Sequence, residues 1–357
     1  MMLLLALIIG RGSPKLLLSI IAGLAILITS VLSVVGNLSS ISVSAILFTI
    51  VFREPGTIVL PKNGNSLKDE TCHRGEDIPL DNNSARKYHE FVKFDIAKPQ
   101  FSCMFSFPLL TTRLFQEVVA SRSFPLSVIG VIHAKHVVEQ FHCMDEHNVG
   151  TYSYSMCVSD ARIVDIGAEC DVVLEIFSSS RMLMNSTTMT FTSTDRKKAK
   201  ATKKNRKQLT DEEKLQKTML SPVKKMHTFK ELIKGGHSLK YASISGDTNP
   251  IHHPTYCRLM GMNQCIMHGL WSLARSVAAI TEEYDLTKTA ALRISAAWKL
   301  PLPVPCKVGF QFGELVNVEK TEHFEFEDEK FTRHVEFLVT KDSKGEKLPH
   351  LRGVVSF

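Results

Sequence analysis

Asp247, Asn249, Pro250 and His252 put a carboxylate, an amide, a proline and an imidazole into one short stretch, and His268-Gly269 follow where an apolar run begins. The chemistry open to such side chains is proton transfer, because a carboxylate and a neutral imidazole aimed into one cavity form an acid–base pair. Neither a helix nor a flat strand would point both groups the same way, so the backbone between them must turn. Gly246 tolerates φ > 0 and Pro250 fixes φ and removes a donor, so the spacing predicts a tight non-helical turn bracketed by these two residues. Asp and Asn also form turns with no catalytic role; the downstream His268-Gly269 pair argues for the catalytic alternative. His253 reads as an exposed neighbour. His268 either exchanges protons or only positions the glycine.

The elements around this loop can be read coarsely. Residues 229–239 lead into it. Residues 267–280 carry Leu270, Trp271, Leu273, Ala274, Val277, Ala278 and Ile280 and predict a central helix. The start of that helix offers unpaired N–H groups and a positive dipole, suited to an oxygen on which charge builds. Strands are predicted over 290–298, 308–318, 323–326, 332–340 and 351–357, with Pro301-Leu-Pro-Val-Pro305 as a stiff connector. Upstream, 101–124 is apolar at helical spacing, and 128–141, 152–158, 161–164, 172–177 and 182–192 read as strands. One helix followed by several strands, twice over, predicts an internal duplication.

The run Tyr241 to His252, with Ser245, Gly246, Asp247, Asn249, Pro250, Ile251 and His252, then His268 and Gly269, resembles the signature of the MaoC-like, R-specific enoyl-CoA hydratases, a hot-dog-fold family. The chain departs from that family after His252, where His253-Pro-Thr-Tyr-Cys-Arg-Leu-Met-Gly261 reads one residue short and Cys257 stands where a small residue is usual. The first half is similar to that of double-hot-dog 3-hydroxyacyl-thioester dehydratases at Phe107-Pro-Leu109, Phe124-Pro-Leu126 and Gly130-Val-Ile-His133. It contains no Asp-x-Asn-Pro-x-His and so reads as non-catalytic.

The resemblance implies an α+β double hot-dog: two long central helices wrapped by antiparallel sheet, with the two sheets joined edge to edge and the acyl chain between the halves. It implies reversible hydration of trans-2-enoyl thioesters to (3R)-3-hydroxyacyl thioesters in fatty-acid metabolism, by Asp247 and His252. Gly269 would stabilise the thioester oxygen, Asn249 would orient His252 or hold water, and His268 would support the site. Ser245, Gly246, Pro250 and Arg275 would touch substrate, with Arg275 reaching the carrier phosphates or snorkelling to solvent. The substrate would be an acyl-CoA or acyl-carrier-protein thioester. Two alternatives remain: a non-catalytic acyl-thioester-binding protein, and a thioesterase, which the lack of Asp or Glu over 269–280 disfavours.

Residues 16–52 hold no charged side chain, and about 20 apolar residues suffice to span a bilayer. A membrane anchor of one or two hydrophobic helices is therefore expected over 1–55, then a linker over 56–99, a non-catalytic half over 100–195, a basic linker over 196–224 and a catalytic half over 225–357. Basic residues on both sides of the apolar run leave its orientation open. The net charge of +7, from 43 basic against 36 acidic residues, sits largely in Arg196-Lys-Lys-Ala-Lys200 and Lys203-Lys-Asn-Arg-Lys207. Such a run is a solvated linker or a contact for anionic lipid; without interleaved aromatics it does not suggest nucleic acid. The eight cysteines show no Cys-x-x-Cys pair and read as reduced thiols, placing the catalytic part in the cytosol. No ligand spacing calls for a metal and no Gly-rich dinucleotide motif for a cofactor. A homodimer is left open.

Overall fold

The structure is a computed structural model that describes residues 57–58, 71–76, 82–94, 112, 114–115, 118–119, 121, 124–127, 131–142, 152–195, 220–247, 249–259, 262–286, 289, 291–317, 330–343 and 346–357. Within these, ten strands form one antiparallel sheet in the order β1-β3-β4-β5-β2-β7-β10-β9-β8-β6. The N-terminal strands are β1 (His73–Gly75), β2 (Val131–Gln140), β3 (Ser153–Val164), β4 (Gly167–Phe177) and β5 (Leu183–Thr194). The C-terminal ones are β6 (His227–Ile233), β7 (Leu292–Trp298), β8 (Cys306–Glu314), β9 (His334–Ser343) and β10 (Glu346–Ser356). The helices are α1 (Asn82–Val92), α2 (His237–Ser245), α3 (Pro254–Leu259) and α4 (Gly269–Tyr284).

Outward from the centre the N-terminal half runs β2-β5-β4-β3-β1 and the C-terminal half β7-β10-β9-β8-β6. In each half the first strand ends at the outer edge, the second lies at the seam, and the next three fold back between them. One winding has thus been used twice. The seam is a real ladder, with β2 and β7 paired from Lys135↔Ala297 to Gln140↔Leu292. Alternation explains why these segments are strands: along β4, Ala168, Cys170, Val172, Leu174 and Ile176 are buried, while the residues between them are half-exposed. The runs 152–158 and 161–164 are a single strand, β3, irregular between Val158 and Asp160.

Several expectations are corrected. Among the described residues the architecture is a broad antiparallel sheet with one long helix, α4, in place of two long helices each wrapped by sheet. Of the helix expected over 101–124, only scattered positions are described; Leu114, Phe115, Val118 and Val119 pack against the N-terminal core. No helix among the described residues is long and apolar enough to cross a membrane. The anchor expected over 1–55 lies outside those residues, as do most of the basic linker and the strand expected over 323–326.

The segment expected as linker, 56–99, instead contains β1 and α1. Tyr88, Val92 and Phe94 of that segment belong to the hydrophobic core of the C-terminal half. Cys72 and Cys157 are joined in a disulfide that ties β1 to β3, which corrects the reading of all cysteines as free thiols. Disulfides persist in oxidising compartments, so this bond removes the ground for the cytosolic placement.

The seam makes the halves interdependent. Residues 225–357 alone would expose the β7 edge and lose the core side chains Tyr88 and Val92 of α1 and Phe94 just after it. Expressed alone, this piece is expected to aggregate or self-associate in size-exclusion chromatography; a well-behaved, fully active monomer would contradict that expectation.

Candidate active site

The loop is shaped by local chemistry. Helix α2 ends at Gly246, whose φ of 73° lies in the left-handed region and whose N–H donates to Ala242 O at 2.9 Å. Next, the Asn249 N–H donates to Asp247 Oδ1 (3.1 Å) and the Ile251 N–H to Asn249 Oδ1 (3.3 Å), two successive side-chain-capped turns. The Asn249 carbonyl accepts from the His252 N–H at 3.0 Å, within the 3₁₀ turn Pro250–His252. Asn249 therefore positions His252 through the backbone, while its amide oxygen caps the turn. Ser245 Oγ accepts from the Asp247 N–H at 3.2 Å and is buried. Gly246 and Ser245 thus fix the approach to Asp247.

Asp247, His252 and His268 come together. His252 Nδ1–H donates to the Ile266 carbonyl at 2.7 Å, which leaves the lone pair on Nε2. His268 Nε2 lies 3.2 Å from Asp247 O and 3.7 Å from Asp247 Oδ2, so it donates toward both. The two imidazoles stack with centroids 3.6 Å apart, and the Tyr241 ring lies 4.6 Å from His268 on the way to α1. His252 and His268 are buried, while Asp247 is 31% exposed and open to a ligand.

One donor atom from each of Asp247, His252 and His268 lies within 4.8 Å of the others, close enough for a metal. Stacked rings send their in-plane lone pairs in parallel, however, and His268 Nε2 is committed to Asp247. The cluster suits proton transfer better than ligation.

The segment carrying Ile266 and His268 is braced by the proline-rich connector, a contact the sequence reading missed. Met267 N–H donates to Leu302 O (2.8 Å) and Val304 N–H to Cys265 O (2.9 Å). Cys257 is buried beneath this region, its thiol donating to Pro254 O at 3.3 Å.

His268 is also the N-cap of α4, but its side chain makes no capping bond. The N–H groups of Gly269 and Leu270 at the start of the helix have no intrahelical acceptor, while the Trp271 N–H donates to His268 O at 3.2 Å. The absent side chain of Gly269 is occupied by a neighbour: a Cβ there would lie 2.7 Å from Trp298 Nε1. Trp298 is a residue the sequence reading did not single out.

Arg275 lies apart from the cluster of Asp247, His252 and His268. Its Nε donates to Glu231 Oε1 at 2.8 Å and its guanidinium covers the Phe229 ring at 4.6 Å. It lines an open groove of about 700 Å³ between β6 and α4, together with Lys93, His227 and Glu283.

Burial lowers His252 below the ordinary histidine value, against the pull of Asp247. Burial and the neighbouring His252 push His268 down to about 3, and burial pushes His136 and His350 each down to about 4. All four are neutral at pH 7, as a base must be. Because these folded values lie below the unfolded one near 6.5, their contribution to stability is complete above about pH 6.5 and is lost as pH falls toward 4. His136, His268 and His350 therefore each weaken the fold as pH falls through that window, most steeply near pH 5. Thermal melts from pH 7.5 to 5 should show Tm falling steeply below 6.5; a flat Tm would contradict the neutral assignments.

Residues 221–334 match the family described as MaoC like domain. This part of the chain is a MaoC-like dehydratase domain. No curated protein matches the chain. Among solved structures, HtdX of Mycobacterium tuberculosis is similar at 18% identity over 80% of this chain and 98% of its own, with a TM-score of 0.54. A MaoC-like dehydratase from Phytophthora capsici is similar at 13% identity over 82% of this chain and 96% of its own, at 0.55. Another MaoC-like dehydratase shares 13% identity over 80% of this chain and 97% of its own, also at 0.55. At such identities the likeness speaks for the fold. It extends beyond the MaoC-like domain into the N-terminal half.

Proposed function

We propose that the MaoC-like domain reversibly hydrates trans-2-enoyl thioesters of CoA or acyl-carrier protein to (3R)-3-hydroxyacyl thioesters, with Asp247 and His252 as its acid–base pair. The observation that carries this reading is the hydrogen bond from His252 Nδ1 to Ile266 O. It holds a lone pair on Nε2 beside Asp247 and near the uncapped start of α4.

In the hydration direction, Asp247 and His252 hold one water. His252 Nε2 takes a proton from it as the oxygen bonds to C3. The π electrons of the C2–C3 bond shift toward C1 and charge the thioester oxygen, which accepts from the Gly269 N–H. The proton on His252 then passes to C2, so one water is added and the enzyme is unchanged. Asp247 stabilises the imidazolium in between. Dehydration is the same path reversed.

The test uses the full chain with crotonyl-CoA and a long-chain enoyl-CoA, following both the enoyl absorbance band and free thiol. Loss of the band without thiol release supports the hydratase. Thiol release would support a thioesterase, and neither change would favour a non-catalytic acyl-binding protein.

A further inference from the structure

We infer that the indole N–H of Trp298 is a second hydrogen-bond donor to the thioester oxygen, acting with the Gly269 N–H; the inference rests on the hydratase reading and adds a catalytic residue to it. Trp298 Nε1 is buried and meets no acceptor among the described residues. A buried N–H without a partner is costly and rare, so one beside a proposed reaction centre needs an explanation. The start of α4 is a second unmet donor, since its N-cap residue His268 makes no side-chain cap.

The two donors are close enough to share one oxygen. Nε1 lies 2.7 Å from where a Gly269 Cβ would stand. The Cβ position and the nitrogen of one residue stand about 2.5 Å apart, which places Nε1 at most about 5.2 Å from the Gly269 nitrogen. One oxygen accepting two bonds of about 2.9 Å along lone pairs roughly 120° apart bridges donors about 5 Å apart. The glycine is needed for this arrangement, because any side chain at 269 would displace the indole.

The indole is held from across the seam. Trp298 closes β7 opposite Leu351 of β10. Its ring packs 4.6 Å from the His133 ring and 6.3 Å from the His136 ring, both on β2. His133 in turn stacks on Phe191 at 4.8 Å and lies 3.4 Å from His136, nitrogen to nitrogen. The N-terminal half, which has no acid–base pair of its own, thereby positions a donor for the other half. An indole does not titrate in the working range, so its contribution is independent of pH.

The test is Trp298→Phe in the full chain, which keeps an aromatic ring and removes the N–H. With crotonyl-CoA, kcat is expected to fall about 100-fold, the loss typical of one oxyanion donor, with KM within about threefold of wild type and Tm unchanged. If the phenylalanine variant fails to fold, benzothienylalanine at 298, which replaces N–H by sulfur at nearly constant shape, should give the same kcat loss. Near-full turnover in the folded variant, or a loss confined to KM, overturns the inference and leaves the hydratase reading standing. An inactive wild-type chain overturns both.

Discussion

Asp247→Asn and His252→Ala are each expected to lower turnover on a trans-2-enoyl-CoA by about two to four orders of magnitude, the range for losing a positioned acid or base. The asparagine keeps an oxygen to accept from the Asn249 N–H, so the turn should survive. The alanine deletes the bond to Ile266 and the stack on His268, so Tm must be followed alongside. The pH dependence gives a second reading of the same pair. Burial lowers His252 while Asp247 raises it. Removing the carboxylate charge should therefore move the acid limb of the residual kcat/KM profile to lower pH. A folded variant with near-full activity would sink the assignment.

The largest stability effect is expected at Glu336. Its Oε2 accepts from the Ser221 N–H at 2.7 Å, and its Oε1 lies 2.9 Å from Arg352 Nε. Both side chains are almost wholly buried, at 1% and 6% exposure. The contact is an ion pair lacking the alignment of a hydrogen bond. It joins β9 to β10 and pins the point where the chain enters the C-terminal half. Glu336→Ala leaves Arg352 buried without this counter-charge, which costs about 3–5 kcal/mol, a large part of the stability of an ordinary domain. Replacing both residues by Met should recover most of the loss, because an apolar pair of similar volume removes the desolvation penalty as well. Urea unfolding decides the matter: a loss below about 1 kcal/mol in the single variant would show that the pair does not hold the sheet.

The loop from Gly246 to His252 was legible because its shape is local. Gly246, Asp247, Asn249 and Pro250 determine it through a positive φ and bonds spanning two residues. The central helix was legible from its apolar run, and most strands from alternation. What escaped depends on contacts distant in sequence. The polar composition of 56–99 concealed β1 and α1, because a three-residue edge strand has no period to read and α1 buries only one face. The Cys72–Cys157 bond spans 85 residues and exists only because β1 pairs with β3. Arg275 sits on the expected helix, but the face it presents depends on the packing of β6, where Glu231 captures it. Trp298 reads as the end of a strand; only the seam and the absent side chain at Gly269 bring its nitrogen to the start of α4.

If Asp247 and His252 add water to one face of a trans-2-enoyl thioester held at Gly269, the product has a single configuration. Chiral chromatography of the product formed from crotonyl-CoA by the full chain should give (3R)-3-hydroxybutyryl-CoA from the wild-type protein and none from Asp247→Asn. A (3S) or racemic product, or no hydration by the folded wild-type chain, would contradict that assignment.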